Sequence, residues 1–150
     1  MTKKRTGDPW MPSDEYGRSL PAFTVNLIVA DVARSAAFYR DALGAEERYV
    51  DPDFAAMRLG TLDFMLHADH AYDGHPWYPR LAAGQLRGLG AELRLFHVDP
   101  DSIATRVAAA GGAVLMPPTD KGHGWREVWL EDPDGYVWAA GRPTGETVEG

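Results

Sequence analysis

The chain contains no cysteine among its 150 residues, which excludes disulfides, thiolate metal sites and a cysteine nucleophile. It also lacks any apolar run near the roughly 18 residues that a membrane-spanning helix needs. Lys and Arg together number 15 against 22 Asp and Glu, which gives a formal net charge of −7. A nucleic-acid surface needs clustered positive charge. We therefore expect neither a membrane protein nor a nucleic-acid-binding protein.

The remaining composition is typical of a globular chain. Hydrophobic residues make up 45% and charged residues 25%, and a length of 150 residues suits one domain with its own core. Basic Lys3, Lys4 and Arg5 stand near the N-terminus, but the apolar segment of a secretory signal does not follow them. We therefore expect a cytoplasmic location.

Residues 1–21 are polar and interrupted by proline and glycine, which predicts an N-terminal arm with little structure of its own. Trp10, Met11 and Tyr16 are costly to leave in water. We therefore expect the arm to pack on a surface, either of its own domain or of a second subunit.

The hydrophobic pattern of residues 22–67 predicts one strand, one helix and three further strands. Residues 23–29 alternate and are rich in β-formers, which indicates a strand. Asp31 suits the N-cap of the following helix and Gly44 suits its C-cap. The three further strands are expected at residues 46–50, 54–59 and 62–67.

A long connection, residues 68–90, separates this first module from a second one. It is rich in aromatic and turn residues, and such loops usually serve as lids, binding loops or partner contacts. The pattern then restarts in residues 91–141 with a strand, a helix capped by Asp99 or Asp101, and three strands. The last three strands are expected at 114–116, 125–130 and 136–140, with residues 142–150 as a frayed tail.

The two modules repeat one spacing. Setting Gly44 against Gly112 brings Thr24 onto Glu92 without a gap, although few side chains are identical between the halves. Two such modules can bury their helices on one side and leave a sheet face open on the other. An open, concave sheet face with a few polar groups is a common place for a small ligand.

Three motifs carry a resemblance to a known family. They are residues 29–44 (VADVARSAAFYRDALG), residues 123–126 (HGWR) and residues 131–138 (EDPDGYVW). In this order they resemble the vicinal oxygen chelate superfamily of glyoxalases, bleomycin-resistance proteins and extradiol dioxygenases, over about residues 22–141. The resemblance implies an α+β fold. Its two βαβββ modules would form a curved, mostly antiparallel sheet with helices on the convex side.

The DPDG motif has a physical role of its own. Asp132 and Asp134 can accept hydrogen bonds from turn amides, Pro133 fixes one φ angle, and Gly135 supplies a positive φ. We therefore interpret this motif as a turn and not as a pair of catalytic carboxylates.

The resemblance also implies where a metal would bind. Metal-dependent members hold a divalent ion with His, Glu or Gln side chains from the first and last strands of each module. The matching positions here are Thr24, Glu92, Ala139 and Met65, or Phe64 if the strand is shifted by one residue. We prefer Met65 because it places apolar neighbours beneath the helices. Only Glu92 is of a ligand type, so we expect no metal and no other cofactor.

An alternative metal site stays open. Asp63, His67 and Glu92 could form a site outside the family pattern, although Arg94 makes a cation less welcome there. The competing interpretation is that Asp63 and His67 lie at a rim and meet water. His67, His70 and His75 fall within nine residues but lack ligand spacing on one rigid element, so we expect them to be solvated.

We expect a metal-independent protein of the bleomycin-resistance type, which binds or sequesters an aromatic or partly polar organic compound in a concave cleft. Aromatic walls suit such ligands through stacking and cation–π contacts, although Trp129 could equally fill core or an interface. Such a protein could confer antibiotic resistance by sequestration. A homodimer is expected, with Trp77 and Trp10 as candidate interface residues. The expected ligand-binding residues are Thr24, Asn26, Met65, His67, Glu92, Arg94, Phe96 and Trp129.

A second hypothesis is an enzyme of the same fold, such as a lyase, isomerase or epimerase. Glu92 would then be the catalytic residue, acting as a general base, or the divalent metal outside the family pattern would take part. A third is a scaffold without a ligand, with bulky side chains filling the cleft.

Overall fold

A computed structural model describes residues 2–148 of the protein. The chain divides into two compact units, with boundaries after Ala36, after Leu43 and after Gln85. The second helix is shared, because its first turns belong to the first unit and residues 37–43 to the second. No helix within residues 2–148 is long and apolar enough to cross a membrane.

The first unit is built on a four-stranded sheet in the order β1-β4-β3-β2. Strands β1 and β4 run parallel, and the other neighbours are antiparallel. A 3₁₀ turn at Asp69–Tyr72 follows the sheet. The elements are α1 (Ser13–Ser19), β1 (Val25–Val29), α2 (Val32–Leu43), β2 (Glu46–Val50), β3 (Phe54–Leu59), β4 (Leu62–Ala68) and α3 (Tyr78–Ala82).

The second unit repeats this topology in a sheet of order β5-β8-β7-β6, again with the first and last strands parallel. The N-cap of α4 is Asp99, whose carboxylate accepts the N–H of Asp101 at 3.2 Å. The elements are β5 (Glu92–Phe96), α4 (Pro100–Val107), β6 (Ala113–Asp120), β7 (Trp125–Glu131) and β8 (Val137–Pro143). Two units of one strand, one helix and three strands confirm the expected α+β fold class.

Strand β4 separates a core face from an open face. Phe64 and Leu66 are buried, whereas Met65 and His67 between them are half-buried and point to the opposite side. The strand registers pair Asn26 with Met65 in the first sheet and Arg94 with Ala139 in the second. These pairings confirm that Met65 is the counterpart of Ala139.

The DPDG turn is confirmed as structural. Asp132 accepts the N–H groups of Asp134 and Tyr136, each at 2.9 Å, and Gly135 has a φ of 92°. The buried Tyr39 hydroxyl of α2 also donates to Asp132 at 2.5 Å, and Trp138 donates to the Tyr39 oxygen at 3.2 Å. Burial raises the pKa of Asp132, and hydrogen bonds from Tyr39 and the turn oppose that rise.

Three segments are more ordered than the sequence predicts. Ser13–Ser19 of the arm form a helix, in which Arg18 pairs with Asp14 at 2.8 Å. Strand β6 extends to Asp120 through two prolines, because it is an edge strand and its pairing with β7 is interrupted between Met116 and Thr119. Strand β8 extends into the predicted tail as far as Pro143, paired with β7.

Candidate functional site

The N-terminal arm packs on the open face of the first sheet and is anchored there by Asp53. The Asp53 carboxylate accepts the backbone N–H groups of Lys4 at 2.7 Å and Arg5 at 3.1 Å. His70 Nε2 lies 2.7 Å from the same carboxylate. Burial works against the charged form of Asp53, but the hydrogen bonds from His70, Lys4 and Arg5 outweigh it and lower its pKa. The arm is therefore part of the first unit.

Aromatic side chains of the arm lie against aromatic side chains of the sheet. Trp10 stacks on Tyr49 of β2, with ring centroids 5.6 Å apart and planes within 10° of parallel. The Arg48 guanidinium lies 5.4 Å from the Trp10 ring centroid. Tyr16 of α1 meets the Phe54 ring edge-on at 5.5 Å. These contacts order the arm over the sheet.

A cavity of about 310 Å³ lies between the arm and the sheet. We call it the arm pocket. Its volume lies at the lower end of the range of about 300–1,000 Å³ that is usual for small-molecule sites. Its walls combine arm residues with side chains of the sheet. They include the aromatic and apolar Trp10, Tyr16, Tyr49, Phe54 and Met65, together with His67 and the charged Lys3, Arg5, Asp51 and Asp53.

His67 is the histidine in the lining of the arm pocket, and it is held by two polar neighbours. Its Nδ1 lies 2.7 Å from Oδ1 of Asn26, and the Asn26 amide nitrogen donates to the Tyr72 hydroxyl at 2.5 Å. Burial lowers the pKa of His67, and the charge of Asp51 opposes this only in part. The ring is therefore neutral at physiological pH.

The Tyr16 hydroxyl is a second polar group near the arm pocket. It is buried and has no hydrogen-bond partner among the residues that the structure describes. Burial raises the pKa of Tyr16, the negative charge of Asp63 adds to the rise, and Arg48 opposes it. A buried hydroxyl without a partner is costly, so this group does not explain the packing of the arm.

The four site residues predicted for the first module share the open face of its sheet, with different roles. Met65 and His67 line the arm pocket, whereas Asn26 stands behind His67 as its hydrogen-bond partner. Thr24 instead donates its hydroxyl to the backbone oxygen of Asp63. That hydrogen bond connects the residue before β1 to β4, and Thr24 does not line the arm pocket.

The residues predicted for the second module form an ion-pair network on their own sheet. Arg94 lies 2.8 Å from Glu92 and 3.1 Å from the buried carboxylate of Glu127. Trp129 donates its indole N–H to Glu127 at 3.0 Å. Phe96 packs edge-on against the Trp125 ring at 4.8 Å. Glu92 is therefore partly exposed and paired with the Arg94 guanidinium, so its carboxylate is not free to act as a general base.

The family metal positions do not fit a divalent ion. Met65 offers a thioether and Ala139 offers no donor. The Thr24 hydroxyl is engaged and Glu92 is paired with Arg94. Hard cations prefer several oxygen or imidazole ligands. Over residues 2–148, no three His, Asp or Glu side chains are grouped so that they could hold a metal.

The expectation that Asp63 lies at a rim and meets water is wrong. Asp63 is only 8% exposed, and the Arg58 guanidinium donates to both its carboxylate oxygens, at 2.8 and 3.1 Å. The hydrogen bond from Arg58 lowers the pKa of Asp63 against the effect of burial. A carboxylate neutralised in this way is a poor metal ligand, which removes it from the alternative site outside the family pattern.

The prediction that the three histidines are solvated is also wrong for two of them, since half-buried His67 is bound to Asn26 and His70 is bound to Asp53. His75 packs edge-on against Trp77 at 4.9 Å. The Trp77 side chain is 55% exposed and stands outside the arm pocket. Whether Trp77 or Trp10 takes part in a dimer interface stays a prediction.

Sequence reasoning missed Trp10, Tyr16, Tyr49 and Phe54 as walls of a site. The available signal was the presence of large apolar residues in a polar arm. It predicts that the arm packs on a surface, but it does not identify that surface. Sequence reasoning also missed Glu127. The alternation of side chains along β7 predicts its position, because Glu127 lies between Trp125 and Trp129 on one face of the strand.

Comparison with known proteins agrees with the fold described above. The family model described as Glyoxalase/Bleomycin resistance protein/Dioxygenase superfamily matches residues 22–140. The chain belongs to this superfamily. Among curated proteins, no sequence matches the chain.

Solved structures of the same fold share little sequence with the chain. One is a glyoxalase/bleomycin resistance protein/dioxygenase family enzyme from Burkholderia phytofirmans PsJN, with a TM-score of 0.67 and 22% identity, covering 80% of this chain and 96% of that one. A glyoxalase-related enzyme from Fulvimarina pelagi has a TM-score of 0.64 and 21% identity, covering 82% and 88%. A glyoxalase/bleomycin resistance protein/dioxygenase from Nocardioides has a TM-score of 0.63 and 22% identity, covering 91% and 96%. Such distant similarity establishes the fold alone.

Proposed function

We propose that this protein binds a small aromatic or partly polar organic compound in the arm pocket, without a metal ion and without altering the compound. The observation that carries the proposal is the pocket itself. Its volume is about 310 Å³ and aromatic side chains from both the arm and the sheet form its walls. Such a space suits a flat ligand that stacks on rings at both sides.

The two carboxylates of the lining, Asp51 and Asp53, also favour binding over chemistry. Asp51 accepts the N–H groups of Asp53 and Phe54 and the hydroxyl of Tyr49. Asp53 is occupied by the arm and by His70. Neither carboxylate is available as a nucleophile, and both help to define the shape of the pocket.

The experiment measures binding of 2-naphthol by isothermal titration calorimetry and by chemical-shift changes in the protein. Trp10→Ala removes a stacking wall, and we expect affinity to fall about tenfold, since an aromatic contact contributes about 0.5–1.5 kcal/mol beyond its buried area. Trp77→Ala is the matched control, because Trp77 is exposed and outside the pocket lining. Its affinity should equal that of the wild type.

Two results would contradict the proposal. One is shift changes that map outside the arm pocket, with equal affinity in both tryptophan variants. The other is recovery of a chemically altered compound after incubation with the protein, which would favour an enzyme over a binding protein.

A further inference from the structure

We propose that the ligand of the arm pocket donates a hydrogen bond to Nε2 of His67, so that the pocket selects aromatic compounds bearing a hydroxyl or N–H group. This inference rests on the proposed function, because it specifies the ligand class of the same pocket. It follows from three features: the fixed orientation of the imidazole, the aromatic rings that contact it, and the contrast with the second module.

The orientation of His67 is set by a hydrogen-bonded relay that starts at Tyr72. The Asn26 amide nitrogen donates to the Tyr72 hydroxyl at 2.5 Å, which places the Asn26 amide oxygen 2.7 Å from Nδ1 of His67. An amide oxygen only accepts hydrogen bonds, so in this orientation of the Asn26 amide Nδ1 of the neutral ring carries the proton. Nε2 is then a lone-pair acceptor.

Nothing that the structure describes satisfies this acceptor. The imidazole of His67 has its hydrogen bond with Asn26 at Nδ1. The rings of Tyr72 and Phe54 contact the imidazole, with centroids 5.4 and 5.0 Å away. Met65, the neighbour of His67 on the same face of β4, is also apolar. A ligand that displaces water from this acceptor without replacing its hydrogen bond should bind roughly 5- to 150-fold more weakly. That loss of affinity discriminates against ligands without a donor.

The equivalent position in the second module shows that the acceptor is peculiar to the first. Cross-strand pairing places Phe54 opposite His67, and the same pairing in the second sheet places Glu127 opposite Gly141. A Cβ at Gly141 would lie 2.1 Å from the backbone oxygen of Arg126, so no side chain fits there. The shared fold therefore does not require an imidazole at this place in the sheet.

The test compares two probes of nearly equal shape, 2-naphthol and 2-methoxynaphthalene, by isothermal titration calorimetry. Only 2-naphthol has a donor. We expect the wild type to bind 2-naphthol at least tenfold more tightly, and His67→Phe, which keeps a ring of similar size, to reduce that ratio to near one. Met65→Leu is the control, because it changes the wall of the pocket and leaves the imidazole in place. It should keep the ratio of the wild type.

A second measurement needs no ligand. Two-dimensional ¹⁵N–¹H NMR of the histidine side chains should show His67 neutral and protonated at Nδ1, and Asn26→Leu should abolish this preference. A proton on Nε2 would overturn the inference, even if both probes bind. Equal affinities for the two probes would overturn it and leave the proposed function intact. Failure of both probes to bind would contradict the proposed function and this inference together.

Discussion

Replacement of Asp53 by alanine should release the N-terminal arm. The Asp53 side chain is only 3% exposed and joins three groups: the amides of Lys4 and Arg5, and His70. A hydrogen bond to a charged group contributes roughly 1.5–3 kcal/mol. Because the freed amides regain water, we expect the docking free energy of the arm to fall by about 2–4 kcal/mol in total.

Limited trypsin digestion with mass spectrometry measures this release, since a free arm exposes the bonds after Lys4 and Arg5. Asp53→Ala should be cleaved there at least tenfold faster than the wild type, while circular dichroism of the rest of the fold changes little. Asp14→Ala is the matched control. Its carboxylate is 69% exposed in a surface pair with Arg18, and such pairs contribute about 0–1 kcal/mol. Cleavage of Asp53→Ala at the wild-type rate would refute the view that Asp53 anchors the arm.

Two further predictions concern the same unit. Tyr16→Phe should leave the free energy of unfolding unchanged or raise it by up to about 1 kcal/mol in urea denaturation, because the buried hydroxyl has no partner within residues 2–148. A loss above about 1 kcal/mol would mean that the hydroxyl is satisfied. Acidification should release the arm, because the folded pKa of Asp53 is lowered. Its stabilisation is present above the ordinary carboxyl pKa and is lost as the pH falls through the folded value. Digestion with a protease that is active in acid should release the arm fragment from the wild type faster as the pH falls. The rate for Asp53→Asn should not show this dependence on pH.

The sequence determined most of the fold because its signals are local. The cap at Asp31 accepts the N–H of Arg34 at 3.0 Å, as its place before an apolar-periodic segment predicts. The alternation of β4 placed Met65 and His67 on the open face. These features depend on residues a few positions apart, and the period of a strand or helix reveals them directly.

The arm pocket could not be predicted in the same way, because its contacts join distant parts of the chain. The amide of Lys4 and the carboxylate of Asp53 are 49 positions apart. Helix α1 has only seven residues, and a helix this short depends on packing rather than on its own propensity. The cost of leaving Trp10 and Tyr16 in water predicts that they pack on a surface. It does not identify β2 and β3 as that surface.

The two modules carry different chemistry on equivalent positions, and this difference supports the proposed ligand site in the first module. In the second module the buried charge of Glu127 is neutralised by Arg94 and hydrogen-bonded by Trp129. A fully satisfied network of this kind gains little from a ligand and loses its pairing if one intrudes. In the first module, the inferred acceptor Nε2 of His67 has no hydrogen-bond partner within residues 2–148 and belongs to the lining of the arm pocket. We therefore expect a ligand to gain more free energy on the first sheet, which the arm covers, than on the second sheet, which carries Glu92.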